Sequence, residues 1–247
     1  MLGIGGGVIF IPSLYLLLPY TGIDQSLIPY YAISISLFAG AIAASFSSAF
    51  HFHWGNVDKR KALLFAMGSA STAFISAILV TSVSPIILKG IFAGVLFIIA
   101  TKMFLDSQLK SEPKRKEPIN DYALPIIGLF VGILSAFTGL GGGIIFFPVL
   151  HYLFLLEPKI AIGTSSVITA ITMIFASLSF FINKSDWMGE YQSTNIYLAV
   201  AIPLGIGAVI GARIGVSFVI NMQSSIVKKI FSILLIIVVI KIIFGLW

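Results

Sequence analysis

The sequence predicts an all-α integral membrane protein built from two inverted repeats, and two observations carry this prediction. The first is composition, because 58% of the 247 residues are hydrophobic and only 10% are charged, whereas a soluble domain carries about 25% charged residues. Long apolar stretches recur along the chain, as transmembrane helices require. The second is a glycine-rich motif that occurs twice, at equivalent places in the two halves.

The repeated motif reads GIGGGVIFIPSL at residues 3–14 and GLGGGIIFFPVL at residues 139–150. Three consecutive glycines interrupt a helix, because each costs about 1 kcal/mol relative to alanine. A hydrophobic segment interrupted at matching positions of two halves is the best sequence pointer to the binding site of a transporter. Residues 32–36 (AISIS) and 161–165 (AIGTS) extend the match beyond the motif.

The chain divides into a first membrane repeat (1–105), a charged linker (106–122) and a second membrane repeat (123–247). Each repeat is predicted to be a glycine-broken helical hairpin followed by three full spans. The predicted spans cover residues 30–52, 62–82, 86–105, 160–182, 195–219 and 226–246. Because only two residues precede Gly3, the first repeat lacks the half-helix that leads into the second motif. Either the natural start of the chain lies upstream, which we expect, or the first repeat is naturally truncated.

The second glycine-broken element, residues 124–156, predicts a re-entrant hairpin. As one straight helix it is about 50 Å long, which is too long for one span of a hydrocarbon core of about 30 Å and too short for two. A hairpin places the glycine tip near the middle of the membrane. Irregular backbone is tolerated there only where it is buried in protein or lines a wet cavity. The positive-inside rule favours the hairpin over a crossing element and makes linker 106–122 cytoplasmic.

The two glycine breaks are the candidate substrate site, and the chemistry that they offer suits an anion. Glycine runs expose backbone N–H groups, and the helix that follows directs its positive end to the same place. A proline five residues past the last glycine removes one donor inside that helix, and hydroxyl groups on the next span supply further donors. The alternative is that the glycines only permit a tight turn or close helix packing. The candidate binding residues are Gly5, Gly6, Gly7, Pro12, Ser34, Ser36, Gly141, Gly142, Gly143, Pro148, Thr164 and Ser165.

Several other kinds of function are disfavoured. The residues Asp58, Asp106, Asp121 and Asp186 are predicted in loops, so no carboxylate is placed to bind a cation within the membrane. There are no cysteines, hence no disulfide and no thiolate metal site. The net charge of +6 comes from short loops, where it sets orientation and does not indicate a nucleic-acid partner. We expect no metal, no cofactor and no enzymatic activity.

The histidines and a second glycine pattern leave alternatives open. His51 and His53 are either an interfacial pair or a proton-coupling pair, and the role of His151, next to the second motif, is equally open. Glycines at 207, 211 and 215 form a small-residue ridge that suits helix packing better than a site.

At residues 3–14 and 139–150 the chain resembles the TauE/SafE family of sulfite exporters, a group of small permeases. The resemblance extends over essentially the whole chain, including the stretch 161–165 and the charged central loop. It implies sulfite, a sulfonate such as sulfoacetate or another sulfur-containing anion as the substrate. The chain departs from a matched hydroxyl pair at Ser34-Ile35, where the second half has Gly163-Thr164. The residues that the resemblance carries over are Gly5, Gly6, Gly7, Pro12, Gly141, Gly142, Gly143, Pro148, Thr164 and Ser165.

We therefore expect a multi-pass transporter of the cell membrane that binds a small anion, with the lipid bilayer as its other partner. A homodimer is compatible with the sequence, although no residue indicates one. The alternatives are a channel or uniporter for another small anionic or neutral solute, or a membrane-embedded assembly factor without a substrate. Saturable, gradient-coupled flux separates a carrier from a channel.

Overall fold

The computed structural model describes residues 6–108, 117–183 and 196–219, together with residue 236. Every regular element in these ranges is helical, as the sequence predicts. The helices are α1 (Gly7–Leu17), α2 (Ile28–His53), α3 (Lys59–Val80), α4 (Pro85–Gln108), α5 (Ala123–Thr138), α6 (Gly143–Pro148), α7 (Pro158–Ile182) and α8 (Leu198–Val219). The last predicted span, 226–246, lies outside the described residues apart from residue 236, and α4 extends three residues into the predicted linker.

Helices α2, α3 and α7 are, within the described part of the chain, the ones long and apolar enough to cross a membrane. The outward face of α3 carries large exposed apolar side chains, including Leu63, Met67 and Ile75. An apolar outer face is costly in water and suits contact with lipid. The all-helical fold that the composition predicts is thus confirmed for the described residues, and its three long apolar helices are consistent with a membrane protein.

Helices α2 and α7 pack against each other in opposite directions at the centre of the structure. A Cβ added to Gly40 would lie 2.5 Å from the terminal methyl of Met173, while further along α2 the hydroxyls of Ser47 and Ser166 are 3.4 Å apart. Gly40 lies midway along α2, and the residue numbers of facing pairs rise on one helix as they fall on the other. The two helices that follow the glycine motifs therefore run antiparallel.

Helices α3 and α5 run parallel and pack with their backbones in close contact. A Cβ on Gly128 would lie 2.6 Å from the carbonyl oxygen of Phe65, and the Thr72 hydroxyl donates to the carbonyl of Leu129 at 2.8 Å. Small residues at such positions allow helices to approach closely in lipid. Because Gly128 and Gly132 are four residues apart, both lie on the face of α5 that meets α3.

The second glycine motif forms a hairpin. Helix α5 ends at a left-handed Gly139, the chain turns through residues 139–142, and α6 continues into a π-helical turn at Val149–Leu153. At the open end of the hairpin, the N–H of Ile119 donates to the carbonyl of Leu153 at 3.0 Å. Partway along the hairpin, the rings of Phe65 and Phe146 meet edge to face with centroids 4.9 Å apart. The two arms therefore begin and end on the same side of the protein.

The glycine ridge on α8 has a different environment from the glycines of α3 and α5. A Cβ on Gly207 or Gly211 would meet no described atom within 4 Å. The packing role that the sequence predicts for this ridge thus has no partner among the described residues.

Candidate functional site

The turn at residues 139–142 is the irregular part of the second motif, and it is buried. Gly139, Gly141 and Gly142 have φ values of 67°, 73° and 71°, a left-handed conformation that glycine adopts without a steric penalty. All four turn residues are buried, as is Gly143 at the start of α6. The backbone path therefore requires glycine at 139, 141 and 142.

Several backbone donors of this turn point to no acceptor within the described part of the chain. The N–H of Gly139 donates to Ser135, and those of Ile145 and Phe146 both donate to the carbonyl of Gly142. No acceptor among the described residues is assigned to the N–H groups of Gly141, Gly142 and Gly143. Buried N–H groups without acceptors are rare in proteins and call for a ligand or water. The turn thus presents a cluster of donors without a compensating charge.

The two glycine motifs meet at this turn. A Cβ on Gly7 would lie 2.7 Å from the carbonyl oxygen of Gly139 and 2.8 Å from the Cα of Leu140, so Gly7 lets α1 pack directly on the turn backbone. From α2, the hydroxyl of Ser36 donates to the same Gly139 carbonyl at 2.8 Å. Ser36 is fully buried, and its hydrogen bond holds the start of the turn against α2.

The contacts of Met173 show that the turn lies beside the middle of the helix pair α2–α7. Its side chain lies between the two helices and the turn, where it would touch a Cβ built on either Gly40 or Gly141. Gly40 is midway along α2 and Met173 is near the middle of α7. The donor cluster is therefore about as far from one end of these helices as from the other.

A small pocket of about 10 Å³, enough for one water molecule, lies beside the turn. Its polar lining comes from the last turn of α5, where Ser135 and Thr138 precede Gly139 by four residues and one residue. The Thr138 hydroxyl donates to the carbonyl of Leu134 at 2.6 Å. The Ser135 hydroxyl is buried and has no partner among the described residues. The complete described lining is Val95, Leu134, Ser135, Thr138, Leu140, Gly142, Ile144 and Ile145.

The candidate residues of the first repeat are arranged differently from those of the second. Gly5 lies outside the described residues. Gly6 is right-handed (φ −71°) and caps α1, whereas its counterpart Gly142 is left-handed, because Gly142 completes a turn that reverses the chain between α5 and α6. One packing detail is shared by the two motifs. In each, the aromatic ring four residues after the glycine covers it: Phe10 covers Gly6, and Phe146 covers Gly142.

Both prolines lie in the helices that follow the glycines, as predicted. Pro12 is inside α1, and Pro148 ends the regular part of α6, after which the backbone widens into the π-helical turn. Ser34 is fully buried on α2, and its hydroxyl donates to the Tyr31 carbonyl of its own helix at 3.2 Å. Neither proline nor Ser34 lines the pocket described above.

Thr164 and Ser165 lie near the start of α7, away from the turn. The Thr164 hydroxyl accepts a hydrogen bond from the backbone N–H of Asp58 at 2.9 Å, and the Ser165 hydroxyl donates to the carbonyl of Ile162 at 2.9 Å. A Cβ on the preceding Gly163 would overlap the carbonyl oxygen of Asn56. The stretch 161–165 therefore packs α7 against the loop between α2 and α3. A role of these two hydroxyls in binding stays a prediction.

An ion-pair cluster, which the sequence reasoning missed, lies beside Thr164 and joins this loop to the hairpin. The Nζ of Lys61 is 3.0 Å from the Asp121 carboxylate and 3.5 Å from that of Asp58. The Asp58 side chain also caps α3 by accepting from the N–H of Lys61 at 3.0 Å. The sequence does contain a signal for this cluster: Asp58 lies three residues before Lys61 at the start of α3, and aspartate is a preferred residue at the N-cap of a helix. The cluster links the open end of the hairpin to α3.

We expect Lys61→Met to lower the free energy of unfolding by about 2 kcal/mol, because it leaves two carboxylates without their cation in a partly buried place. Arg60→Met is the matched control, since Arg60 is 75% exposed and 3.9 Å from Asp121, whereas the Lys61 side chain is 17% exposed. Thermal melting of purified protein in detergent measures both. Equal melting temperatures for the two variants would contradict a structural role for Lys61.

Ser135, Thr138 and Met173 were also missed at the sequence level. Ser135 and Thr138 are one helical turn apart on the arm that leads into the glycines, and this spacing is a signal that the sequence contains. Met173 carried no signal, because a methionine in an apolar span is ordinary core. Among the described residues, no group of three or more His, Asp or Glu is close enough to hold a metal ion.

Comparisons with known proteins agree with this description. The profile of a family described as sulfite exporter TauE/SafE matches residues 1–242. A probable membrane transporter protein of Haemophilus influenzae is 28% identical over 245 residues, covering 98% of this chain and 91% of that protein. The probable membrane transporter protein YunE of Bacillus subtilis is 27% identical, covering 96% and 89%, and MJ0441 of Methanocaldococcus jannaschii, also a probable membrane transporter, is 26% identical, covering 87% and 80%. No solved structure matches the chain.

Proposed function

The chain belongs to the sulfite exporter TauE/SafE family of membrane transporters, and from this membership we propose that it carries a small sulfur oxyanion or organosulfonate, such as sulfite, across the cytoplasmic membrane. The observation that supports an anion is the set of buried N–H groups of Gly141, Gly142 and Gly143, which lack acceptors among the described residues. Such groups bind negative charge without a charged side chain. The family name supports sulfur chemistry.

The proposed binding site is the donor cluster of the glycine turn, with Gly7 and Ser36 holding its backbone in place. The Ser36 hydroxyl occupies the carbonyl of Gly139 at 2.8 Å, so this acceptor is directed away from the substrate. In a site built to stabilise negative charge, the carbonyl oxygens must be engaged elsewhere while the N–H groups stay free. Two carbonyls of the turn are engaged in this way, that of Gly139 by the Ser36 hydroxyl and that of Gly142 by the N–H groups of Ile145 and Phe146.

The proposed architecture is a pair of inverted repeats with re-entrant glycine hairpins. Three observations support it: α2 and α7 run antiparallel, the arms of the second hairpin return to one side, and the same aromatic packing covers Gly6 and Gly142. Antiparallel counterparts are what a two-fold axis in the membrane plane produces. In this arrangement linker 106–122 is cytoplasmic and the protein is multi-pass in the cell membrane, with lipid around its outer face. A homodimer stays a prediction.

Flux into proteoliposomes tests the proposed function. Purified protein is reconstituted, and the uptake of labelled sulfite is followed against protein-free vesicles, with sulfate and a sulfonate as competitors and with or without an imposed pH gradient. We expect sulfite uptake that saturates with concentration. Vesicles that contain folded protein but show no uptake of any sulfur anion would remove the proposal.

A channel or uniporter for another small anionic or neutral solute is the second candidate. The narrow, largely apolar pocket favours a carrier, because a channel requires a continuous polar path. The same vesicles separate the two: a channel gives flux that rises linearly with sulfite concentration and shows no acceleration when unlabelled sulfite is placed on the opposite side.

A further inference from the structure

The pocket beside the glycine turn contains a hydroxyl group that the fold leaves unused. Ser135 is 1% exposed and lines the pocket together with Thr138 and Gly142, yet its Oγ has no hydrogen-bond partner in the described part of the chain. A serine within a helix commonly donates to the carbonyl one turn back, as Ser13 does at 2.8 Å. A buried hydroxyl that forgoes this bond is available to a ligand.

The pocket offers donors but no charge. Apart from Ser135, Thr138 and Gly142, its described lining is apolar: Val95, Leu134, Leu140, Ile144 and Ile145. The ion pairs found in the described residues all lie at the open end of the hairpin, around Lys61 and Asp121. The negative charge of a bound anion is therefore balanced by hydroxyl and peptide dipoles alone.

The balance between desolvation and dipole attraction then depends on the charge of the anion. The Born cost of leaving water grows with the square of the charge, so a dianion pays about four times as much as a monoanion of the same size. Attraction to fixed dipoles grows only in proportion to the charge, because the same number of donors serves both ions. Without a cation in the lining, a second negative charge costs more than it gains.

We infer that this pocket, which must widen beyond its described volume of about 10 Å³ to admit an oxyanion, selects singly charged oxyanions over doubly charged ones of the same shape, and that the Ser135 hydroxyl donates to the bound anion. The location of the pocket at the substrate site rests on the proposed function, but charge selection is decided by binding alone. For sulfite, which exists as hydrogensulfite and as a dianion near neutral pH, the inference assigns the protonated monoanion as the bound form.

Methanesulfonate and sulfate are suitable probes, because both are tetrahedral at sulfur and a methyl group in one replaces a charged oxygen in the other. Their affinities for the purified full chain in detergent are measured by isothermal titration calorimetry at one fixed pH. We expect methanesulfonate to bind at least about 10-fold more tightly than sulfate. Equal affinities, tighter binding of sulfate, or no binding of either anion would overturn the inference. Failure of the proposed function can be distinguished from failure of this inference. In that case the protein still binds methanesulfonate, but vesicles that contain it show no sulfite flux.

The role of Ser135 is tested with Ser135→Ala in the same titrations. We expect methanesulfonate affinity to fall on the order of 10-fold, the usual effect of removing a hydrogen bond to a charged group. Ser177→Ala is the matched control, since the Ser177 hydroxyl is also buried without a described partner but does not line the pocket. Unchanged affinity in Ser135→Ala, or an equal loss in Ser177→Ala, would contradict a direct contact. Restored affinity in Ser135→Thr, which returns the hydroxyl, would support it.

Discussion

Replacing Gly142 by alanine is expected to lower transport on the order of 100-fold while the protein still inserts and folds. Gly142 has a φ of 71°, and an added Cβ would lie 2.7 Å from the ring of Phe146 and 3.0 Å from a methyl of Val131. An L-residue is strained at this φ, and relief of that strain rotates the backbone that carries the N–H groups of Gly141, Gly142 and Gly143. Initial rates of sulfite uptake in proteoliposomes measure the effect.

Gly22→Ala is the matched control for this variant. Gly22 has a φ of 78°, but nothing lies within 4 Å of a Cβ built there. Alanine at Gly22 therefore carries the same backbone penalty of about 1–2 kcal/mol without a steric conflict and away from the turn. We expect near-normal uptake from Gly22→Ala. Normal uptake from Gly142→Ala would show that the turn is not the substrate site, and equal losses in both variants would assign the effect to backbone strain.

Gly68→Val is expected to destabilise the protein by about 3 kcal/mol. A Cβ on Gly68 would overlap the carbonyl oxygen of Pro125 and approach the N of Leu129 to 3.0 Å. Both are backbone atoms, so the clash is relieved only if α3 and α5 move apart. Their separation breaks the hydrogen bond from Thr72 to Leu129 and loosens one arm of the hairpin. Thermal melting in detergent measures the loss.

The control for Gly68 is Gly94→Val on α4, where a Cβ meets no described atom within 4 Å. Valine is a better helix former than glycine, so this variant should melt at or slightly above the temperature of the unmodified protein. If Gly68→Val melts together with Gly94→Val, the close approach of α3 and α5 contributes little to stability.

Much of the candidate site was predictable, because its main signal, the run of glycines, is local. The triple glycine at residues 141–143 predicts a helix break from propensity alone, and the break is present, with left-handed Gly141 and Gly142. Its burial also follows, since an apolar sequence on either side leaves no route to water. Ser36 was selected from its position on the span after the motif, and it does reach the turn. The resemblance to the TauE/SafE family is confirmed over residues 1–242.

The repeat pattern predicts that further residues lie together in one central site. In the folded protein, helix packing places these residues in two separate regions. Ser36 and Ser165 occupy matching positions in the two halves, but antiparallel packing of α2 and α7 places Ser36 beside the turn and Ser165 near the loop that contains Asp58. Sequence symmetry alone does not give the depth of a residue along two opposed helices. The role of Gly7 was also not readable from the sequence symmetry. It depends on contact with Gly139, which is 132 positions away in the chain.

The sequence alone determines that the chain is a helical membrane protein with interrupted segments, since hydrophobicity and glycine propensity act on neighbours along the chain. Which donors share a pocket is a matter of packing between distant segments. Gly7, Ser36 and Met173 meet the turn because α1, α2 and α7 cross at its depth. That the Ser135 hydroxyl has no partner among the described residues is likewise visible only once its surroundings are assembled. Long-range contacts of this kind depend on the shapes of whole helix faces, which no local pattern of residues encodes.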